Sequence, residues 1–332
     1  MLSIVRRAQR WPIYTEEVRG CASGRRSREL GWASAATEAR DVRRRKLDIT
    51  TVGVVGAGLM GSGIAEQAAR SGYQVVVREI DDDALAAGSA RISRSMARAI
   101  ERGKMTMEER DEVLGRIKGT TDLNDMAGCD LVIEAIVENL DMKKDVFREL
   151  DRITDSEAIL ASNTSSVSIT ALAAVTTRPE KVAGAHFFNP VPVMKLVELV
   201  RALQTSDETL ERLRVFGESM GKNVVVAQDT PGFIVNYLLV PYLLDAVRMV
   251  ESGVATKEDI DTGISLGLNH PMGPLTLLDY VGIDTTLFIA DVMYEEIRDP
   301  KYAAPPLLRK MVNAGYFGRK NGRGFYDYNG AK

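Results

Sequence analysis

The sequence predicts an α/β protein: a doubly wound, mostly parallel sheet with a helical hairpin insertion, followed by an all-α C-terminal domain. Three observations support this prediction. Short apolar runs alternate with helical stretches between residues 49 and 228. A glycine-rich turn directly follows the first of these runs. Strand-like runs stop near residue 229, and helical patterns follow. With 332 residues, the chain is long enough for two domains.

The alternating region, 49–228, begins with a strand, a helix, a second strand and two helices that form the hairpin. Gly103 and Thr106 separate those two helices and mark the turn between them. In chain order these five elements are Ile49–Val55, Leu59–Ser71, Gln74–Val77, Asp82 to about Arg102, and Met107–Ile117. Five later apolar runs predict further strands: Leu131–Ala135, Ala158–Ala161, Val182–His186, Leu196–Val200 and Asn223–Ala227.

The region 229–332 shows helical patterns only. Thr256 is predicted to cap one of its helices, with Asp259 three residues later. The four predicted helices are Phe233–Glu251, Lys257–Leu266, Ile283–Ile297 and Pro306–Ala314.

Residues 1–48 differ from the rest in charge. They carry twelve basic and six acidic side chains, whereas the remainder carries 31 basic and 40 acidic ones. We interpret them as a basic, disordered extension. A mitochondrial presequence is the alternative, but its acidic residues, such as Glu16 and Glu17, count against it. An acidic body is expected to repel nucleic acid.

Composition narrows the class further. No uncharged apolar stretch of about 18 residues is present, so no membrane-spanning helix is expected. Two cysteines cannot form a disulfide framework, and no Cys/His cluster suggests a metal. We therefore expect a cytoplasmic protein without a metal ion.

The glycine-rich turn matches G-x-G-x-x-G, the dinucleotide-binding pattern of Rossmann-type sheets. It lies between a strand and a helix, which is the context that gives this pattern its meaning. Its residues are Gly56, Ala57, Gly58, Leu59, Met60 and Gly61. Glu79, 18 residues after Gly61, is expected to bind the ribose hydroxyls and repel a 2′-phosphate. NAD is thus favoured over NADP, although Arg78 is adjacent.

The search for a general base is short because the chain has two histidines. His186 ends a strand, and Glu198 follows twelve residues later on the next strand. A carboxylate that accepts one ring N–H fixes the tautomer of a base, as alcohol oxidation requires. A structural histidine explains the spacing equally well. His270 precedes a proline in a turn and is interpreted as structural.

A polar run, Ser162–Ser166, follows the strand Ala158–Ala161. In a doubly wound sheet, ligands bind beyond the carboxyl ends of the strands, so these side chains are candidates for substrate or nicotinamide contacts. One serine of the run is also expected to cap a helix at Val167–Ala173. Asn236, an amide in an apolar helix, either faces the cleft or fixes a neighbouring loop.

Together these motifs resemble the NAD-dependent 3-hydroxyacyl-CoA dehydrogenases over about residues 49–328. The resemblance is greatest to the bacterial enzymes that act on 3-hydroxybutyryl-CoA. It is carried by five segments: ASNTSSVSIT (161–170), HFFNPVPVMKLVELV (186–200), DTPGFIVNYLLVPYLLDA (229–246), HPMGPLTLLDYVGIDT (270–285) and GRKNGRGFYDY (318–328).

The resemblance implies roles for individual residues. His186 would be the general base and Glu198 its partner, while Ser165 and Asn236 would bind the substrate oxygen. Asn189 would line the same cleft. The segment VIEAIVENLDMKK (132–144) would bring Glu138 and Lys143 near NAD. Contacts to CoA would come from the hairpin: Ser95, Arg102 and Lys104.

The implied activity is reversible oxidation of (S)-3-hydroxyacyl-CoA to 3-oxoacyl-CoA in fatty acid metabolism and β-oxidation. A homodimer through the helical domain is also implied. Two alternatives stay open from the residues alone. One is a dehydrogenase of free hydroxy or sugar acids, which would not need a CoA-binding hairpin. The other is a non-catalytic NAD-binding protein.

Overall fold

The structure is a computed structural model, and it describes residues 49–330. The prediction of a disordered basic extension falls on residues 1–48, which lie outside the described residues. Within 49–330, none of the helices has the length and apolar character needed to cross a membrane.

Eight strands form one sheet in the order β3-β2-β1-β4-β5-β6-β7-β8. Neighbouring strands are parallel except β6 and β7, which are antiparallel. The doubly wound prediction is therefore confirmed. In chain order, the strands β1 to β8 are Thr51–Val55, Gln74–Arg78, Ile117–Thr120, Leu131–Glu134, Ile159–Ser162, Val182–Phe187, Leu196–Arg201 and Asn223–Gln228.

Within residues 49–330, six α-helices precede the end of the sheet. The helices α2 and α3, of 20 and 9 residues, flank the predicted turn at Gly103, and α3 begins with a capping box between Thr106 and Glu109. In chain order, α1 to α6 are Leu59–Arg70, Asp82–Glu101, Met107–Gly115, Leu140–Ile153, Ile169–Ala173 and Asp207–Ser219.

After β8 the described chain contains helices, turns and two isolated β-bridges, but no further strand of the sheet. Thr256 caps α8 by accepting from the Asp259 amide, as predicted. The five α-helices α7 to α11 are Val235–Glu251, Lys257–Gly267, Pro274–Val281, Ile283–Ile297 and Pro306–Asn313. They share an apolar core around Leu244, Leu278 and Met293. Two buried carboxylates, Asp261 and Asp279, bind the backbone of that core.

Three elements differ from the prediction. The helix expected at 107–117 ends at Gly115, and Ile117 instead begins the edge strand β3. This strand was missed because it has four residues, including the exposed Lys118 and Gly119, and so lacks an apolar run. Helix α9 was also missed, since it spans eight residues between Gly273 and Gly282.

Candidate active site

The candidate site lies at the carboxyl ends of β1, β4, β5 and β6. The strand order reverses between β1 and β4, where chains of this architecture bind ligands. The glycine turn follows β1, and the polar run Ser162–Ser166 begins at the last residue of β5. The glycine turn and the polar run therefore both lie at the carboxyl ends of the strands.

Three glycines shape the turn in different ways. Gly56 has φ +96°, and a Cβ there would lie 2.7 Å from the Ala135 carbonyl oxygen. A Cβ at Gly61 would lie 1.8 Å from the Gly56 oxygen, so only glycine lets α1 pack this closely on the turn. A Cβ at Gly58 would meet no described atom within 4 Å. Gly56 and Gly61 shape the protein itself, whereas Gly58 keeps the backbone bare toward the cleft.

Glu79, just beyond the end of β2, bends back to the glycine turn. Its Oε1 accepts from the Ala57 amide at 2.5 Å, and its Oε2 accepts from the Ile80 amide at 3.0 Å. The Ala57 carbonyl in turn accepts from Arg91 Nη1 of α2 at 3.2 Å. The acid predicted to bind ribose is thus fixed beside the turn.

These residues fit a dinucleotide. Leu59 and Met60 occupy the first turn of α1, whose N-cap Gly58 brings no capping side chain. Amides of a first helical turn have no partner inside the helix, and they suit a pyrophosphate. With the bare Gly58 and the fixed Glu79 carboxylate, the donor and acceptor set matches phosphate and ribose.

Arg78, the last residue of β2, raised the question of NADP. Its carbonyl accepts from the Gly56 amide at 2.9 Å. Its buried Nε makes no hydrogen bond within residues 49–330. The carboxylate of Glu79, rather than the guanidinium of Arg78, therefore bonds to the glycine turn.

His186 and Glu198 are brought together by the antiparallel pair β6 and β7. They occupy directly paired positions, and the Nδ1–Oε2 distance is 2.7 Å. Glu198 is fully buried, and His186 is buried among aromatic rings. Phe188 and Phe233 have their ring centroids 4.6 and 5.5 Å from the imidazole. Because Nδ1 is engaged, Nε2 is the nitrogen left for proton transfer.

Glu198 also fixes the start of α7. Its Oε1 accepts from the amides of Ile234 at 3.1 Å and Val235 at 2.9 Å. A carboxylate suits this position because a helix N-terminus has free amides and positive potential. Asn236, half-buried in the first turn of α7, follows directly. One side chain thus orients His186 and anchors the helix that carries Asn236.

Ser165 lies half-buried in the loop between β5 and α5. Its amide donates to Glu138 Oε1 at 3.0 Å, which leaves the hydroxyl out of this contact. The expected helix cap within Ser162–Ser166 is wrong, because α5 begins at Ile169 and its cap is Ser168. Asn189 is exposed after β6, at a cis peptide bond to Pro190.

Glu138 and Lys143 meet beside this loop. Lys143 Nζ lies 3.2 Å from Glu138 Oε2 and 2.6 Å from Oε1 of the fully buried Glu134. Burial acts to raise the pKa of Glu138, but Lys143 and the donors Thr164 and Ser165 together hold it below its ordinary value. This carboxylate is therefore ionised at neutral pH.

The three predicted CoA contacts lie on or just after α2. Ser95 is half-buried and hydrogen-bonds the buried Glu66 of α1. Arg102 and Lys104 are exposed at the turn of the hairpin. His270, interpreted as structural, is exposed and contacts the Tyr242 ring edge-on. No candidate metal site is found in the described part of the chain.

The sequence did not reveal Glu134, Asp229 or the partner of Asn163. Glu134 had a signal, since it is the one charge in the buried strand Leu131–Glu134. Asn163 belongs to the predicted polar run, and it accepts from the Phe187 amide at 3.0 Å, which joins the β5 loop to β6. Asp229 binds Ser168 Oγ and two amides of α5. Those long-range contacts leave no local pattern.

Known proteins resemble this chain along nearly all of its described length. The profile of the 3-hydroxyacyl-CoA dehydrogenase NAD binding domain matches residues 51–230, and that of the family's C-terminal domain matches residues 232–328. The 3-hydroxybutyryl-CoA dehydrogenase of Mycobacterium tuberculosis is 55% identical over 282 residues, covering 84% of this chain and 99% of its own. Human mitochondrial hydroxyacyl-coenzyme A dehydrogenase is 46% identical over 291 residues, covering 86% and 93%.

A solved structure of a related enzyme is also similar to this chain. The (S)-3-hydroxybutyryl-CoA dehydrogenase of Ralstonia eutropha superposes with a TM-score of 0.81 at 48% identity. The match covers 85% of this chain and all of the other.

Proposed function

The chain belongs to the 3-hydroxyacyl-CoA dehydrogenase family, and from this premise we propose which residues carry the reaction and which substrate they prefer. The chain is an NAD-dependent oxidoreductase that interconverts (S)-3-hydroxyacyl-CoA and 3-oxoacyl-CoA. The assignment of individual residues, the acyl length and the assembly are the proposal.

His186 is the general base. Oxidation of a secondary alcohol requires loss of the hydroxyl proton, and Nε2 of His186 takes it. Glu198 accepts a hydrogen bond from Nδ1–H and stabilises the imidazolium that forms. NAD held by the glycine turn and Glu79 would supply the acceptor for the hydride that leaves the alcohol carbon. The 2.7 Å contact between Nδ1 and Oε2, in a buried site, is the observation that supports this role most strongly.

Ser165 and Asn236 orient the reacting oxygen, which is a hydroxyl in one direction and a carbonyl in the other. They come from two different elements, since Ser165 follows β5 and Asn236 is on α7. Two polar groups on one oxygen fix its direction relative to His186 and stabilise the charge that develops on it. Asn189 and Glu138 line the cofactor side.

Substrate preference is proposed to be the four-carbon acyl chain. The names of the relatives from Mycobacterium tuberculosis and Ralstonia eutropha specify 3-hydroxybutyryl-CoA, and both relatives are about half identical to this chain. CoA is proposed to lie along the hairpin, against Ser95, Arg102 and Lys104. Exposed cations at the end of α2 suit its phosphates.

The test follows NADH absorbance with acetoacetyl-CoA, and repeats it with NADPH, with free acetoacetate and with longer 3-oxoacyl-CoAs. We expect rapid oxidation that requires both NADH and the thioester, with the four-carbon substrate giving the highest kcat/KM. Equal activity on free acetoacetate would favour the free-acid dehydrogenase. NADH binding without turnover of any substrate would favour the non-catalytic alternative.

The assembly and setting complete the proposal: a cytoplasmic homodimer that acts in β-oxidation, with an NAD-binding domain at 49–228 and a helical domain at 229–332. The helical part exposes large apolar side chains, including Leu238 at 68% and Leu266 at 80%, which supports contact between copies. Light scattering during gel filtration measures the mass. A monomer at micromolar concentration would contradict the dimer.

A further inference from the structure

The loop that carries Ser165 is hydrogen-bonded to the carboxylate of Glu138. Glu138 Oε1 accepts three hydrogen bonds from this loop: from Thr164 Oγ1, from the Ser165 amide at 3.0 Å and from Ser166 Oγ at 3.0 Å. Donors from three successive residues converge on this one oxygen. The position of Glu138 therefore determines the position of the Ser165 backbone.

Glu138 in turn is fixed by Lys143. Only 1% of the Lys143 side chain is exposed, and its ammonium lies between Glu138 and Glu134. The buried position leaves little surface for a direct cofactor contact, which the sequence had suggested for this lysine. Its ionic contacts go to the carboxylates of Glu134 and Glu138.

Glu134, the second carboxylate paired with Lys143, also accepts hydrogen bonds from two loops. Its Oε1 accepts from the Ile136 amide at 2.7 Å, and its Oε2 accepts from Ser162 Oγ at 2.6 Å. The Ser162 oxygen accepts from the Thr164 amide at 3.2 Å. Glu134 thus contacts both the loop after β4, on the cofactor side, and the loop after β5, on the substrate side.

We propose that the buried Glu134–Lys143 pair is a positioning element, which acts through Glu138 to hold Ser165 in register with the cofactor-side loop. The proposal rests on the proposed role of Ser165. Lys143 neutralises two carboxylates, one of them fully buried, that would otherwise repel each other. Without the lysine, the lowest-energy response is separation of the two loops or protonation of one carboxylate.

The decisive variant is Lys143→Met, which keeps the length of the side chain and removes its charge. We expect kcat with acetoacetyl-CoA to fall about 100-fold, since catalytic groups displaced by about 1 Å lose activity on this scale. The dissociation constant for NADH should change less than about threefold. Lys144→Met, at the neighbouring and less buried position, is the matched control and should behave as wild type.

A second variant separates positioning from a general structural role. Adding Glu134→Gln removes one of the two charges and keeps the hydrogen-bonding shape. We expect this double variant to recover at least about tenfold in kcat at pH 8.

A mutant cycle with Ser165→Ala links the effect to Ser165. Lys143→Met should cost much less in the Ser165→Ala background than in wild type, because both changes disrupt the same interaction. If Ser165→Ala has full activity, the proposed role of Ser165 fails. If Ser165→Ala is impaired but the two losses multiply, the positioning inference alone fails.

Other outcomes would also overturn the inference. Loss of NADH affinity equal to the loss of kcat would make Lys143 a cofactor contact. No recovery in Glu134→Gln/Lys143→Met would show that charge repulsion is not the cause. If Lys143→Met cannot be purified folded, the cycle is run with Glu134→Gln/Lys143→Met and Ser165→Ala, where multiplying losses again contradict the proposal.

Discussion

The two sides of the site are built in different ways. The part of the cofactor side that would hold pyrophosphate and ribose comes from one continuous stretch, residues 56–79, in which backbone shape and one carboxylate form the contacts. The catalytic side is assembled from β6, β7, α7 and the loop after β5, and buried side-chain contacts hold it together. The cofactor side depends on glycines, whose missing Cβ atoms leave room for close backbone packing. The catalytic side depends on charge and hydrogen bonding.

The largest expected effect is on the catalytic side. His186→Gln removes the base but keeps a polar group opposite Glu198. We expect kcat to fall about 1000-fold, within the range that loss of a general base produces, while the NADH dissociation constant stays within about threefold. Stopped-flow turnover and NADH fluorescence titration measure the two quantities.

His270→Gln is the matched control, since it changes the chain's other histidine at an exposed position. It should leave both quantities unchanged. If His186→Gln loses NADH affinity as strongly as turnover, the cofactor side and the catalytic side do not act independently. The contrast drawn between them would then be wrong.

A single methyl group tests the cofactor side. Gly61→Ala would place its Cβ 1.8 Å from the Gly56 oxygen, so the turn or α1 must move. Overpacking of this kind costs about 1–3 kcal/mol of unfolding free energy, and NADH affinity should fall at least about tenfold as the turn is displaced. Calorimetry and NADH titration test both effects.

Gly58→Ala sharpens this prediction. Its Cβ would meet no described atom within 4 Å, so the melting temperature without cofactor should stay close to wild type. NADH should still bind more weakly, because the methyl group occupies the approach of the pyrophosphate. A large loss of stability in Gly58→Ala would show that this glycine is structural like Gly61.

Charge at the cofactor side has a smaller effect. Glu79→Gln keeps an acceptor for the Ala57 amide and removes the negative charge. We expect NADH affinity to fall about tenfold, the scale of one hydrogen bond to a charged group, and NADPH binding to improve. Glu79→Ala also frees the Ala57 amide and should lose more. Unchanged preference between NADH and NADPH would remove Glu79 from the ribose site.

The sequence predicted the glycine turn and an acid close to it, because the strand, turn, helix and acid lie within about 30 residues. Gly56, Gly61 and Glu79 were all identified from spacing and local chemistry. The overall sheet also followed from its buried apolar runs. The short edge strand Ile117–Thr120 did not, since half of it is exposed.

The catalytic side was only partly predictable from the residues themselves. Spacing brought His186 and Glu198 onto neighbouring strands, but it did not separate a catalytic from a structural histidine. The second role of Glu198, as an anchor for Ile234 and Val235, depends on a contact across 36 residues. Glu134 was missed because a single charge at a strand end does not reveal its partner. Such contacts are determined by tertiary packing.

The smallest expected effect concerns Glu66, a buried carboxylate on α1 behind the glycine turn. Burial raises its pKa, and Ser95, Arg70 and Arg98 only partly offset this. A raised pKa means that the folded chain keeps a proton that the unfolded chain releases. The contribution of Glu66 to the unfolding free energy therefore decreases as pH rises above about 4.5, the pKa of an ordinary glutamate. Glu66→Gln does not titrate, so its stability relative to wild type should increase between pH 4 and 7. Urea unfolding at the two pH values measures this difference, and NADH affinity should be unaffected. A relative stability that decreases over this range would mean that the arginines outweigh burial, making α1 dependent on charge in the way the catalytic side is.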